Sequence, residues 1–238
     1  MNINLWSSPR NISTALMYSF AQRDDVLVVD EPLYGHYLRH QPTAADHPGR
    51  AEILASQPHD APRVVAEMLS ADPGGRRKLH KQMTHHLVAT DTAFLAEMDN
   101  VLLIRDPRAI LRSFGQVIAE VTAEDIGIPQ QYALFGRLRA AGALRAVVDA
   151  RLLLLNPAGV LRQLCAALSL SFTERMLSWP AGARPEDGVW AAHWYANVHR
   201  STGFQPYRPK QIDLPPAREA IARRCQPLYE EMLAASLR

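Results

Sequence analysis

The sequence predicts an α/β fold, a three-layer sandwich with a central, mainly parallel sheet of about five strands flanked by helices. Three observations carry this expectation. Short apolar runs alternate with stretches of helical periodicity, which is the order that parallel strands with crossover helices produce. The chain has 238 residues, enough to bury a large core. The apolar runs end in polar, ionisable residues, as strands do where their carboxyl ends line a binding crevice.

Taken in order, Asn2–Trp6 reads as a first strand and Ser13–Gln22 as a helix, followed by a second strand at Asp25–Val29. A polar, Pro- and His-rich stretch from His40 to about His59 reads as a surface loop or lid. Asp60 can cap a helix whose first turn accepts Pro62. Val64, Val65, Met68 and Leu69 give that helix its apolar stripe, and Pro73-Gly74-Gly75 ends it. Arg77–Met83, Asn100–Ile104 and Leu144–Val148 complete the strands. Asp106-Pro107 opens a helix expected to run to about Glu120, and another covers Pro129–Ala141. From about residue 157 the pattern is helical, with a last helix from about Pro216. Residues 1–238 read as one domain with a mostly helical C-terminal part.

Composition narrows the function. The formal net charge is +2, which argues against a nucleic-acid binder and its basic stripe. Cys165 and Cys225 lie in apolar helical stretches and read as buried thiols. No Cys/His spacing matches zinc, so no metal is expected. Neither a membrane-length apolar run nor a leader pattern occurs, and the expectation is a soluble, cytoplasmic protein, a monomer or homodimer.

The residues just past the strands point to an anionic ligand. The strand ends carry Ser7-Ser8-Pro9-Arg10, Asp30-Glu31, Lys81 with His85-His86, and Arg105-Asp106-Pro107-Arg108. The first has the layout of a phosphate-binding strand–loop–helix, yet it contains no glycine. A helix N-terminus offers unpaired N–H groups and partial positive charge. Ser13 and Thr14 add hydroxyls and Arg10 a charged fork, although Ser13 serves equally as a plain helix cap. The loop GxxxxGK[ST] that wraps a triphosphate needs glycines and a lysine that are absent here, which argues against an ATP or GTP hydrolase.

Arg105 and Ser113, eight residues apart in "RDPRAILRS", resemble the 3′-phosphate-binding motif of the sulfotransferases. Those enzymes use 3′-phosphoadenosine-5′-phosphosulfate (PAPS) and leave the 3′,5′-bisphosphate, PAP. Pro9-Arg10-Asn11-Ile12-Ser13-Thr14 is similar to their 5′-phosphosulfate loop, and Asp30-Glu31-Pro32 to the acidic turn that holds a base in bacterial and tyrosylprotein-type members. "VVDARLLLLNPAGVLRQLCAALSLSF" resembles their late strand and helix. The likeness reaches from residue 3 to about 177.

The resemblance implies a fold like that of P-loop NTPases and transfer of a sulfuryl group to a hydroxyl or amine of a small-molecule acceptor. Glu31 becomes the base, with Arg10 at the leaving oxygens and Lys81 at the sulfuryl oxygens. Arg105 and Ser113 hold the 3′-phosphate with help from Arg200, while Tyr34, His36, His85 and His86 are candidates to line the acceptor pocket. Ile12 and Asn11 stand where the family places glycine and serine. Ile strongly disfavours positive φ, so the loop is expected to keep ordinary backbone angles or to hold the phosphate further out. That departure keeps a catalytically silent, nucleotide- or partner-binding relative in view, and an ATP-dependent small-molecule kinase is the other alternative. Trp190, Trp194 and Tyr195 read as core.

Overall fold

The computed structural model describes residues 1–41, 47–114, 121–209 and 211–238. Five strands form one sheet: β1 (Ile3–Ser7), β2 (Val26–Asp30), β3 (Arg77–Met83), β4 (Asp99–Ile104) and β5 (Leu144–Asp149). Their order is β2-β3-β1-β4-β5, and every pairing is parallel. The expected strands are thus all present, each within one residue of its expected bounds. Eleven helices are described: α1 (Ser13–Phe20), α2 (Tyr34–His40), α3 (Arg50–Ser56), α4 (Ala61–Leu69), α5 (Pro107–Phe114), α6 (Ile128–Ala140), α7 (Ala150–Leu155), α8 (Pro157–Ala167), α9 (Ala191–Trp194), α10 (Ala196–His199) and α11 (Pro216–Ala234).

Successive residues of a strand face opposite sides, and both sides of this sheet are covered. Ile3, Leu5, Val101 and Leu103 meet Leu16 and Met17 of α1 and Leu161 and Leu164 of α8. Trp6, Leu102 and Ile104 meet α4, α5, α6 and α11 through Val64, Ile110, Leu134 and Tyr229. That two-sided burial explains the near-continuous apolar character of β1 and β4. Buried Asn100 fills its hydrogen-bonding capacity: its Oδ1 accepts from Trp6 Nε1 at 3.0 Å, and its Nδ2 donates to the Leu95 and Met98 carbonyls.

Several helix starts are set by their capping residues. Asp60 accepts from Arg63 N at 3.1 Å, Asp149 from Leu152 N at 3.0 Å, and Asn156 from Gly159 N at 3.0 Å, each supplying a partner for an otherwise open N–H. Any side chain at position 159 would drive a Cβ to within 2.2 Å of the Asn156 side chain, so this tight cap requires glycine.

Three expectations need correction. The stretch 40–59 is more than a loop, because α3 lies within it, with residues 42–46 outside the described set. Only Ile53 of α3 is buried, one apolar anchor and too few to show a period. Helices α2 and α7 were not expected either. The first is as rich in His and Tyr as a loop, and the second is a single apolar block, "ARLLLL", joined to β5. The described part of α5 ends at Phe114, and the expected continuation to Glu120 lies in the undescribed residues 115–120.

Candidate active site

Strand β1 lies between β3 and β4, so the chain leaves its carboxyl end in one direction to build β2 and β3 and in the other to build β4 and β5. The crevice at such a switch point is where open parallel sheets bind ligands. Here it opens into a cleft of about 1070 Å³, lined by the 9–15 loop, Glu31, Lys81, Arg105 and Ser113 among others.

The loop between β1 and α1 solves its backbone problem at a residue the sequence did not suggest. Ile12 sits at the helix N-cap with φ −98°, an ordinary value, and no side chain caps the helix. The left-handed residue is Arg10, with φ 57°. A non-glycine residue is uncommon there and needs outside support. Arg105 Nη1 provides it by donating to the Arg10 carbonyl at 2.5 Å. Asn11 holds the next step, its Nδ2 donating to the Leu103 carbonyl at 3.0 Å while its Oδ1 accepts from Ile12 N at 2.8 Å. The Ile12 side chain packs onto the core beneath α1. Ile12 therefore anchors the loop, and the positive-φ residue of the loop is Arg10. Ser13 is the first helical residue and not the cap.

Arg10 also reaches α5, where its Nε donates to Ser113 Oγ at 3.0 Å. Arg10, Arg105 and Ser113 thus meet at the open end of α1. Among the described residues neither arginine is paired with a carboxylate. Burial, and then the charge of Arg10, lower the pKa of Arg105. Two neighbouring guanidinium groups at a helix N-terminus form a site that favours an anion.

A second cluster lines the same cleft. Lys81 is fully buried and spends its three N–H groups on Asp30 Oδ1 (2.9 Å), Glu31 Oε1 and Tyr195 Oη (2.6 Å). Asp30 Oδ2 accepts from Tyr195 Oη at 2.7 Å and from Gly188 N at 3.2 Å. Trp190 Nε1 donates to Tyr195 Oη at 3.1 Å. Two carboxylates therefore share one ammonium in a buried place. Burial, working against the attraction of Lys81 and aided by the charge of Asp30, pushes Glu31 from the ordinary 4.5 up to about 7. Burial alone would lower the Lys81 pKa, but Asp30 and Glu31 hold it well above the usual lysine value.

Glu31 is itself held in place by its backbone. Its φ is 39°, its N–H donates to the Lys81 carbonyl at 2.8 Å, and its carbonyl accepts from Gln57 Nε2 at 3.0 Å. Gln57 Oε1 in turn accepts from Gly35 N at 2.8 Å. A buried carboxyl at positive φ, raised toward neutrality and lining a cleft, makes Glu31 a candidate acid–base group.

Tyr34, His85 and His86 line the cleft as expected. His86 stacks on Tyr34 and Tyr37, with ring centroids 4.6 and 4.7 Å apart. Burial lowers the His85 pKa to about 4 and holds that of His86 well below the usual value, so both rings are neutral at physiological pH. His86 Nδ1 lies 3.8 Å from Glu31 Oε2 and, among the described residues, has no hydrogen-bond partner.

Two expected residues are elsewhere. His36 is buried away from the cleft, its ring nitrogens on the carbonyls of His59 (3.1 Å) and Val88 (2.8 Å), where it ties α2 to later segments. Arg200 is exposed and turned onto Asn197 Oδ1 at 2.6 Å, outside the cleft lining. Lys81 is in the cleft wall, but its donors are already committed to the cluster. The sequence reading missed Gln57 and the polar work of Tyr195 and Trp190. The helical spacing of these two aromatics signalled burial, which is correct, but nothing local signalled that Tyr195 would bond Lys81 and Asp30, 114 and 165 residues away.

The fold is shared with solved sulfotransferase domains. That of the Synechococcus PCC 7002 olefin synthase is 18% identical, with TM-score 0.57, over 100% of this chain and 95% of that one. That of the curacin biosynthetic pathway is 16% identical, with TM-score 0.56, over 94% and 97%. Two curated proteins of Arabidopsis thaliana, branched-chain-amino-acid aminotransferase-like proteins 2 and 1, are 36% and 37% identical over 228 residues. The alignment takes in 95% of this chain but 40% of each relative, so the chain spans about two fifths of their length. The model of a sulfotransferase domain matches residues 1–236. With that match over almost its whole length, the chain belongs to the sulfotransferase-domain family.

Proposed function

We propose that the domain transfers a sulfuryl group from PAPS to a hydroxyl or amine of a small-molecule acceptor. The observation that supports this most is the meeting of Arg10, Arg105 and Ser113 at the start of α1, with no carboxylate partner among the described residues, in the same cleft that Glu31 lines. The donor supplies an activated sulfuryl group on a phosphate leaving group. The 9–15 loop with Arg10 fits its 5′-phosphosulfate end, and Arg105 with Ser113 fits its 3′-phosphate. Arg200 has no part in this assignment.

The chemistry asked of the protein is mostly positioning and charge stabilisation, as in phosphoryl transfer. The acceptor O–H or N–H faces Glu31. Even at about 7, the Glu31 carboxylate is too weak a base to strip an alcohol beforehand, so it takes the proton while the acceptor–sulfur bond forms and the sulfur–oxygen bond to phosphate breaks. Negative charge then grows on the phosphate oxygens, where Arg10 and the helix N–H groups lie. Lys81 is assigned to Glu31 rather than to the sulfuryl oxygens, since its three N–H groups are spent. Tyr34, His85 and His86 present uncharged faces to the acceptor.

Calorimetry tests the donor class. PAP binds tightly and ATP does not, and Arg105→Ala weakens PAP by at least about tenfold more than adenosine 5′-phosphate. Equal losses for the two nucleotides would remove the 3′-phosphate assignment, and magnesium-dependent binding of ATP would favour a kinase.

A further inference from the structure

Beside Glu31 the cleft wall holds a buried polar atom that the fold leaves without a partner. A single 3₁₀ turn, Thr84–His86, follows β3, and Thr84 Oγ1 ties it to the Ser7 carbonyl at 3.1 Å. The turn sets the His86 ring against Tyr34 and Tyr37, with planes inclined by 15° and 26°. These two stacked rings fix its orientation. His86 is 1% exposed and lines the cleft. Its Nδ1 lies 3.8 Å from Glu31 Oε2 and, among the described residues, has no hydrogen-bond partner. The other Glu31 oxygen, Oε1, is taken by Lys81. The 3.8 Å gap is too long for a hydrogen bond between the two groups. One heteroatom placed about 2.8 Å from each meets both. Leaving a buried polar atom unpaired is costly, and a ligand atom in this gap removes the cost.

We propose that His86 sets the acceptor class: its Nδ1–H donates to the attacking atom, so the site takes a hydroxyl and turns away an amine. This rests on Glu31 being the base. Burial above all keeps the ring neutral, and a neutral imidazole has one N–H. An ionised carboxylate 3.8 Å from Nδ1 favours the proton on that nitrogen. The atom in the gap must then donate to Glu31, accept from His86 and still attack sulfur. A hydroxyl oxygen does all three with one O–H and two lone pairs. Its proton passes to Glu31 Oε2, and one lone pair forms the oxygen–sulfur bond. The sulfur–oxygen bond to phosphate breaks, and its electron pair goes to the phosphate. The second lone pair stays on Nδ1–H, and His86 keeps its proton throughout. A neutral amine nitrogen has a single lone pair. Spent on His86 it cannot attack, and spent on sulfur it leaves Nδ1–H unpaired against a second N–H. Sites built to bond a particular polar group reject analogues that leave their own groups unpaired.

The test uses p-cresol and p-toluidine as matched probes, and the readout is the change in their ratio of kcat/KM with PAPS. His86→Phe keeps a stacked ring and removes the N–H. It lowers kcat/KM for p-cresol about tenfold and does not lower that for p-toluidine. His86→Asn puts an amide N–H near the place of Nδ1 and restores the ratio. His86→Gln, whose amide falls near the place of Nε2, does not. PAP affinity is unchanged in all three, which shows that the cleft is intact. Nitrogen NMR of the His86 ring reads the same contact without turnover, and in wild type it decides even where a variant fails to fold. The proton is on Nδ1, and p-cresol shifts that resonance in the PAP complex while p-toluidine does not. Equal losses for the two probes, rescue by glutamine, or a proton on Nε2 would overturn the proposal. If the NMR result holds while no sulfuryl transfer is found, the acceptor contact stands and the assigned reaction fails.

Discussion

At the scale of single residues, Glu31 carries the strongest functional signal because two costs meet in it. Its φ is positive without glycine's freedom, and its carboxyl is buried beside another carboxylate. The raised pKa ties function to stability. Between pH 4.5 and 7 the unfolded state releases the Glu31 proton while the folded state keeps it. The contribution of Glu31 is therefore complete below pH 4.5 and is lost as pH rises to 7. His85 and His86 have the opposite sign, since their depressed values make the folded state lose stability as pH falls below 6.5. Total stability blends these effects, but the difference between wild type and Glu31→Gln isolates one of them, because glutamine cannot ionise. Relative to wild type, Glu31→Gln gains on the order of 3 kcal/mol from about pH 4.5 to about pH 8. In thermal denaturation its midpoint rises by about 5–10 °C against wild type over that range. The same variant loses transfer while still binding PAP. A flat difference across this range would mean that Glu31 ionises normally, and near-normal turnover would mean that it is not the base.

At the scale of elements, the strands were legible and the devices that aim their ends were only half so. Alternating periods located β1 to β5 because burial on both faces leaves a strong local trace. Arg105 and Ser113 were legible because both sit on one strand–helix unit, where spacing fixes direction. The backbone conformation of the first loop was not, because it depends on a contact across 95 residues from Arg105 to the Arg10 carbonyl. Likewise α3 hid in a His- and Pro-rich stretch, so the stretch looked like a lid. Its C-terminal flank holds Gln57, whose amide spans the Glu31 carbonyl and the Gly35 N–H. This segment thus holds the turn that carries Glu31. Gln57→Ala leaves two backbone groups without that partner, at a cost of about 1–3 kcal/mol. The expected kinetic result is a fall in kcat of about tenfold or more with PAP affinity kept, because a misplaced base slows the chemical step without disturbing the arginines. Loss of PAP binding in parallel with kcat would show that the segment supports the whole cleft and not the base alone.

At the scale of the whole molecule, the arrangement places like charges together before any ligand arrives. Arg10 and Arg105 are neighbours at the positive end of α1, and Arg105 is largely buried. Such a site works against folding by self-repulsion and regains that cost when an anion binds. The segments that meet there follow β1 and β4 and include α5, while Asn197, Val198, Ser201 and Phe204 from the C-terminal part also line the cleft. A ligand that spans them therefore stabilises contacts between parts of the chain far apart in sequence, and its effect should appear in global unfolding. With PAP at about a hundred times its dissociation constant, linkage gives about 2.7 kcal/mol. For a chain of this size that is a rise in Tm of about 5–10 °C. ATP at the same concentration gives little, lacking the 3′-phosphate. Arg105→Ala supplies the decisive comparison. Removing one of two repelling cations leaves the unliganded protein no less stable than the loss of the Arg10 carbonyl bond allows, a change of about 1 kcal/mol, yet abolishes most of the PAP-induced rise. If Arg105→Ala lowered the unliganded Tm strongly and kept the full PAP shift, Arg105 would be a structural clamp for the Arg10 turn, and the 3′-phosphate would have to be held elsewhere.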